Sequence, residues 1–157
     1  MRVTNTATNA ATNTEGFTLV ELLLVLVIVG ILVSLGSGPY LEAQRRAHLQ
    51  EAAVQFATDL QRARSAAQRH SQDASVTLDA DASSYTLTLG GVVAARRLPH
   101  GARVEVERGS GVVSYTAPYG EVNSALNKRF VISSARTDAV RYVKVIGVTG
   151  KVIVSDL

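Results

Sequence analysis

One apolar run near the N-terminus, residues 17–35, limits what this chain can fold into more than any other feature. As a helix the run spans about 28 Å at 1.5 Å per residue, close to the roughly 30 Å hydrocarbon core of a bilayer. It contains one carboxylate, Glu21. An ionisable side chain in a membrane segment costs about 2.5–3.5 kcal/mol on insertion scales, so we expect Glu21 to have a function. The run predicts a transmembrane helix, residues 17–38, rather than a buried core helix.

The start of the run forms a short and specific motif, Gly16-Phe-Thr-Leu-Val-Glu21. This motif resembles the class III signal of type IV prepilins and type II secretion pseudopilins. The resemblance implies that a prepilin peptidase cuts between Gly16 and Phe17 and methylates the new amino group of Phe17. It implies that Glu21 acts in filament assembly. It also implies as partners the other major and minor pilins or pseudopilins and an inner-membrane assembly platform.

An ordinary secretory signal peptide is the main alternative for this segment. The triplets Ser34-Leu-Gly36 and Gly36-Ser-Gly38 have the small residues of a cleavage site. The long leader, which carries Glu15, argues against this alternative. Glu21 also argues against it, because it lies where a signal peptide carries only apolar residues. The leader, Met1–Gly16, differs from family leaders in having Arg2 as its only cation, which gives a weak positive-inside bias.

A second helical segment, residues 39–73, is predicted after a kink at Gly36, Gly38 and Pro39, since proline removes a backbone donor and clashes with the preceding turn. Its apolar residues recur every three or four positions and predict a helix packed on a sheet. These are Leu49, Ala53, Phe56, Leu60, Ala63 and Ala67. Asp59 and Arg62 are expected to pair on the exposed surface. Arg45-Arg46 follows the kink and suggests contact with membrane lipid.

From Ser75 the hydrophobic period changes to two, which predicts an antiparallel β domain over residues 74–157. Eight strands are expected, with residues 121–128 as a surface loop. They are Ser75–Asp79, Ser84–Leu89, Val92–Leu98, Ala102–Glu107, Val112–Thr116, Phe130–Ser133, Val140–Ile146 and Lys151–Ser155. The predicted fold class is therefore α+β, a long N-terminal helix packed on an antiparallel sheet domain.

The β region also resembles a family through its turn residues and alternating valines. Leu98-Pro-x-Gly101, Tyr115-x-x-Pro118-x-Gly120 and Gly150-Lys-Val152 are similar in order to H-type minor pseudopilins and FimT-like minor pilins. The resemblance implies two antiparallel sheets packed against the stalk helix. It implies a subunit near the filament tip, with its β domain on the periplasmic side of the inner membrane.

The composition argues against an enzyme. The chain has no cysteine, and His48, His70 and His100 have no carboxylate at a metal-ligand spacing. Neither a nucleophile elbow nor a phosphate-binding loop is present. We therefore expect no cofactor and no metal site. The chain is instead expected to be a substrate of the prepilin peptidase.

The function predicted from the sequence is a minor pilin or pseudopilin, a structural subunit of a type II secretion pseudopilus or a type IV pilus. DNA capture for natural transformation is the alternative, because some FimT-like minor pilins bind DNA through C-terminal cations. The candidate contact residues are Lys128, Arg129, Arg141, Lys144 and Lys151. Ile153 stands where a second basic residue is expected, and a net charge of +3 is mild.

Overall fold

The computed structural model describes residues 16–122 and 127–156, and within these it leaves out the side chains of residues 35–37 and 39. The chain divides into two compact units, Met1–Gly38 and Pro39–Leu157. The predicted leader lies outside the described residues except for Gly16. The boundaries predicted between leader, membrane helix, stalk helix and β domain stay a prediction.

A single helix, α1, runs from Leu19 to His70. It begins two residues later than predicted, and it ends three residues before the predicted end of the second helical segment at residue 73. Arg69 and His70 lie in its last turn, where cations interact favourably with the negative end of the helix dipole. Ser71, directly after the helix, has a φ of 50°, which turns the chain towards the first strand.

In the second unit, one face of α1 is buried. The exposed fraction is 2% for Leu49 and 0% for the other five residues of the predicted stripe. This confirms the prediction of a helix packed on a sheet. The alanines of the stripe and the aromatic side chains of the strands belong to the same buried core.

Nine strands, all paired antiparallel, form two sheets in the described residues. Their bounds are β1 Ala74–Leu78, β2 Ser84–Leu89, β3 Val92–Arg97, β4 Arg103–Arg108, β5 Val112–Thr116, β6 Glu121–Val122, β7 Lys128–Ser134, β8 Thr137–Ile146 and β9 Lys151–Ser155. The five-stranded sheet has the order β3-β2-β1-β5-β6, and the four-stranded sheet has the order β4-β7-β8-β9. The predicted α+β class and the two sheets are confirmed.

Phe56 of α1 joins the two sheets in one core. Its ring packs edge-on against Tyr85 of β2 with a centroid distance of 5.1 Å, and against Phe130 of β7 at 5.4 Å. All three residues are fully buried. Edge-to-face aromatic packing adds to the stabilisation that burial provides. The helix and both sheets of the second unit therefore share a single hydrophobic core.

Two details of the prediction are wrong. The predicted loop over residues 121–128 is wrong at both ends, because residues 121 and 122 form β6, which pairs with β5, and Lys128 begins β7. Asp59 was expected on the exposed surface, but only 2% of it is exposed. Its ion pair with Arg62 does form, with 3.0 Å between Oδ1 and Nη1.

Candidate functional site: the N-terminal motif and the basic residues

The predicted cleavage point lies immediately before α1. Gly16, Phe17 and Thr18 are outside the helix, and Phe17 is 80% exposed. A Cβ atom added at Gly16 would meet nothing within 4 Å. The described part of the chain therefore places no steric demand for glycine at this position. If glycine is required here, the requirement must come from another molecule, such as a processing enzyme.

Thr18 caps the N-terminus of α1. Its Oγ1 accepts a hydrogen bond from the backbone N–H of Glu21 at 3.2 Å, and its carbonyl accepts the first helical bond from Leu22 at 3.2 Å. Thr18 and Glu21 occupy the first and fourth positions of a capping box, in which a threonine cap precedes a glutamate in the first turn. The motif therefore also specifies where the helix begins.

Glu21 lies among exposed apolar residues of the first unit. The large side chains from Leu19 to Val33 in this unit are 48–79% exposed. Apolar patches this large on a monomer usually mark a surface that contacts lipid or protein. Over the residues that the structure describes, no helical segment meets the length and hydropathy expected of a membrane span.

The predicted kink residues fall in a region described only in part. α1 is assigned without interruption through residues 36–39. Gly38 is exposed, and a Cβ added there would meet nothing within 4 Å. The kink at Gly36, Gly38 and Pro39 stays a prediction.

The structure argues against Lys128 as a contact residue for a ligand. Lys128 is only 7% exposed, and its Nζ donates hydrogen bonds to Oγ of Ser110, at 2.9 Å, and to the carbonyl of Val112. Burial lowers the pKa of its amine. Since Lys128 belongs to β7 and Val112 to β5, this side chain connects the two sheets.

Of the other four candidate cations, Arg129, Lys144 and Lys151 share the outer face of the four-stranded sheet, and Arg141 lies on its inner face. Arg141 shares the face of β8 that carries Val143 and Val145, which are buried, and it pairs with Asp156 at 2.7 Å. Arg129 and Lys144 are register partners on the opposite face. Arg129 pairs with Glu107 at 3.2 Å. Lys151 is exposed at the start of β9. Two of the five predicted contact residues, Lys128 and Arg141, are thus turned inward, and Arg129 is paired with Glu107. The DNA-binding alternative is unsupported.

In the doublet Arg45-Arg46, which follows the predicted kink, Arg46 forms an ion pair. Arg46 lies 3.0 Å from Glu42, which also accepts a hydrogen bond from Thr137 at 3.0 Å. The hydrogen bonds from Arg46 and Thr137 lower the pKa of Glu42. Arg45 is exposed. The predicted lipid contact of the doublet stays a prediction.

The structure brings together two histidines that look unrelated in the sequence. The rings of His48 and His100 stack with centroids 3.8 Å apart, and His100 Nε2 lies 2.9 Å from a carboxylate oxygen of Glu51. Sequence spacing gave no signal, because His100 comes from the turn Pro99–Gly101, far along the chain from α1. Within the described residues, no three histidine or acidic side chains are placed to hold a metal ion.

A second polar cluster that the sequence did not reveal surrounds Asp59. Its Oδ2 accepts a hydrogen bond from the hydroxyl of Tyr85 at 2.7 Å and lies 3.9 Å from Nε of Arg96. Burial, and next the bond to Asp59, hold the pKa of Tyr85 well above its ordinary value, so Tyr85 stays protonated and can donate. The cluster fastens β2 and β3 to α1.

Comparison with known proteins supports the prediction of the N-terminal motif and the prediction of the fold. A family model described as the prokaryotic N-terminal methylation motif matches residues 12–37. The type IV minor pilin FimU of Pseudomonas aeruginosa has a similar structure, with a TM-score of 0.59 and 19% identity over 71% of this chain and 90% of FimU. A second crystal form of FimU gives a TM-score of 0.57 at 16% identity, over 68% of this chain and 91% of FimU.

The minor pseudopilin EpsH of the Vibrio cholerae type 2 secretion system is also similar. Its TM-score is 0.54 at 17% identity, over 69% of this chain and 96% of EpsH. No characterised protein matches by sequence comparison. The chain thus combines a methylation motif with the fold of minor pilins and pseudopilins, and these matches are to pilin-type proteins rather than to enzymes.

Proposed function

We propose that this type IV pilin-like chain is a minor pilin or pseudopilin, a structural subunit of a type IV pilus or of a type II secretion pseudopilus. The methylation motif at residues 12–37 and the similarity of fold to FimU and EpsH support the proposal. The observation that carries it is the position of Glu21. This carboxylate lies in the first turn of an exposed apolar helix, directly after the exposed Gly16–Phe17 peptide.

In the proposed maturation, a prepilin peptidase hydrolyses the peptide bond between Gly16 and Phe17 and then methylates the new amino group. Before assembly the subunit is held in the inner membrane by residues 17–35, with its β domain on the periplasmic side. An assembly platform then moves it into a filament, near the tip, among other pilins or pseudopilins. Arg45 and Arg46 would lie near anionic lipid head groups before that step.

Glu21 has a physical role in this scheme. A carboxylate in lipid, or in the dry interior of a filament, is costly unless a cation pairs with it. The methylated amine of Phe17, in the same or a neighbouring subunit, is the cation that we propose. Without Glu21 the amine has no partner, so assembly rather than cleavage is impaired.

The test is the amount of subunit in filaments sheared from cells. We expect Glu21→Ala and Glu21→Gln to be cleaved normally and to be depleted in the filament fraction by about tenfold or more. Glu105→Gln is the matched control, because Glu105 is an exposed carboxylate on β4. Wild-type amounts of both Glu21 variants in filaments would overturn the proposal.

A further inference from the structure

Strand β3 is a free edge of the five-stranded sheet. Five of its six residues are exposed, and Ala94 is partly buried. Val92 and Val93 point to opposite faces and are 69% and 66% exposed. Pairing with β2 is regular from Arg97 to Val92, without a bulge, and β3 contains no proline. Bulges, prolines and charged side chains protect many natural sheet edges, and the charges of β3 are confined to Arg96 and Arg97 at one end. The stretch Val92–Ala95 is therefore open to another strand.

The backbone of β3 offers hydrogen-bonding groups on its outer side. Gly90 and Gly91, both with positive φ, form a two-residue turn flanked by the pair Leu89 and Val92. In such a hairpin the flanking pair is hydrogen-bonded and the pattern then alternates. The N–H and C=O groups of Val93 and Ala95 therefore point away from β2.

Two contacts at the end of β3 agree with this alternation. Leu98 N–H donates to the carbonyl of Ser83 at 2.9 Å, which continues the bonded series of Val92, Ala94 and Arg96. The carbonyl of Arg97 instead accepts a hydrogen bond from the side-chain amide of Gln55 at 3.1 Å. The part of the edge that remains open is therefore Val92–Arg96.

A basic groove lies beside this edge. Arg96 approaches Asp59 of α1 to 3.9 Å, so the face of β3 that carries Arg96 is turned towards the helix. An open groove of about 640 Å³ lies between the end of α1 and the β2–β3 hairpin. Arg62, Arg69 and His70 contribute its cationic lining, and none of its lining residues within the described chain is acidic.

The groove also has an apolar part, to which Leu89 and Val92 contribute. Asp59, which pairs with the groove-lining residue Arg62, is buried and also interacts with Arg96. It does not offset the charge of Arg69 or of Arg97, which is exposed at the end of β3. The edge therefore combines strand-pairing groups with a positive, partly apolar surface.

We propose that β3 binds an extended acidic segment of a partner protein, which adds to the sheet as a further strand. Backbone bonds to Val93 and Ala95 provide affinity, as in other examples of strand addition. Side chains on the inner face of the added strand lie over the groove, where acidic residues meet Arg62 and Arg69. This contact uses the β domain and is separate from assembly through the N-terminal helix.

The test uses the full chain in detergent micelles and a short labelled peptide that alternates valine with glutamate. We expect this peptide to bind, and a peptide with lysine in place of glutamate to bind at least about tenfold more weakly. Amide hydrogen exchange should slow at Val93 and Ala95 when the glutamate peptide is added. Equal binding of the two peptides, or slowed exchange at β4 or β9 instead, would overturn the proposal.

Two variants and their controls sharpen the test. Val93→Pro removes an outward N–H, a substitution that edge strands tolerate, and should weaken binding by about tenfold. Val93→Thr keeps the N–H and should bind like the wild type. Arg69→Glu should also weaken binding, whereas Arg103→Glu, at an exposed position on β4, should not. Wild-type affinity of a folded Val93→Pro or Arg69→Glu variant contradicts the proposal.

Other occupants of the edge give different results. If two copies of this chain pair through β3, exchange at Val93 slows with protein concentration in the absence of peptide. If nucleic acid occupies the groove, it forms no hydrogen bonds with the backbone of β3, so Val93→Pro leaves the affinity for DNA unchanged. Either result, without selective binding of the glutamate peptide, would overturn the proposal of an acidic protein segment.

Discussion

The hydroxyl of Tyr85 donates a hydrogen bond of 2.7 Å to the carboxylate of Asp59, and both residues are buried. The bond joins β2 to α1 at the centre of the second unit. A buried carboxylate is costly unless its oxygens are paired, and here Tyr85 and Arg62 provide the partners. The position of the helix on the five-stranded sheet therefore depends on a specific polar contact as well as on hydrophobic packing.

Removing this hydroxyl should destabilise the second unit. We expect Tyr85→Phe to lower the free energy of unfolding by about 2 kcal/mol, because a buried charged acceptor loses a donor. Denaturant unfolding in detergent micelles, followed by the near-ultraviolet signal of the aromatic residues, measures the change. Tyr119→Phe is the matched control, since Tyr119 is 73% exposed, and should change the value by less than about 0.5 kcal/mol. Equal effects of the two substitutions would contradict this interpretation.

Phe56 should be among the most sensitive core positions. Its ring contacts Tyr85 in one sheet and Phe130 in the other, so Phe56→Ala opens a cavity where the helix and both sheets meet. The expected loss is about 3–5 kcal/mol in the same unfolding measurement. Val54→Ala, on the exposed side of α1, should cost less than about 0.5 kcal/mol. A Phe56→Ala variant as stable as Val54→Ala would mean that the helix does not pack as described.

Lys128 should make stability depend on pH in the alkaline range. Burial lowers the pKa of its amine below the ordinary value of 10.5. Between the lowered folded-state pKa and the unfolded-state pKa, the unfolded chain binds more protons at this site. The contribution of Lys128 to the free energy of unfolding must therefore rise with pH between these two pKa values.

The comparison with Lys128→Met isolates this contribution. The stability of the wild type relative to that variant should increase as the pH is raised towards about 10.5. Tyr85 and Tyr115, whose pKa values are raised mainly by burial, are present in both proteins. Their contributions to the pH dependence of stability therefore cancel in the difference. Parallel pH profiles would show that the amine of Lys128 titrates alike in the folded and unfolded chains.

Gly16 should be required for processing. We expect Gly16→Leu to leave the precursor uncut in cells that contain a prepilin peptidase. Nothing in the described chain lies within 4 Å of a Cβ at this position, so a block would arise in the enzyme and not from misfolding. Gly30→Leu is the control, since Gly30 lies in the helix with equally open surroundings. A mature-sized band from Gly16→Leu would contradict the proposed cleavage point.

The sequence predicted the parts of the fold that depend on local periodicity. The helical spacing of Leu49, Phe56 and Leu60 identified the buried face of α1, and alternation identified most strands. β6 was missed because two residues are too few for a periodic pattern. The alternation in β7 and β8 did contain a signal that Lys128 and Arg141 are turned inward. Lys128 is two residues before the buried Phe130, and Arg141 is two residues before the buried Val143, so each shares the inner face of its strand.

The polar contacts between residues far apart in the chain were beyond the reach of sequence reasoning. Asp59 accepts a hydrogen bond from Tyr85, which lies 26 residues later in the chain. The ring of His48 stacks on that of His100, which lies in a turn between two strands. Neither pair has a characteristic spacing, because tertiary packing alone brings the partners together. Asp59 was assigned to the surface because an acidic residue on a helix is usually solvated.

The most direct test of the account is the intact mass and N-terminal sequence of the native protein from the membrane fraction. The account predicts a chain that begins with N-methylated Phe17, which would establish cleavage after Gly16. A chain that begins after Gly36 or Gly38 would contradict it. In that case the protein would be an ordinary secreted one, and the role proposed for Glu21 in filament assembly would be wrong.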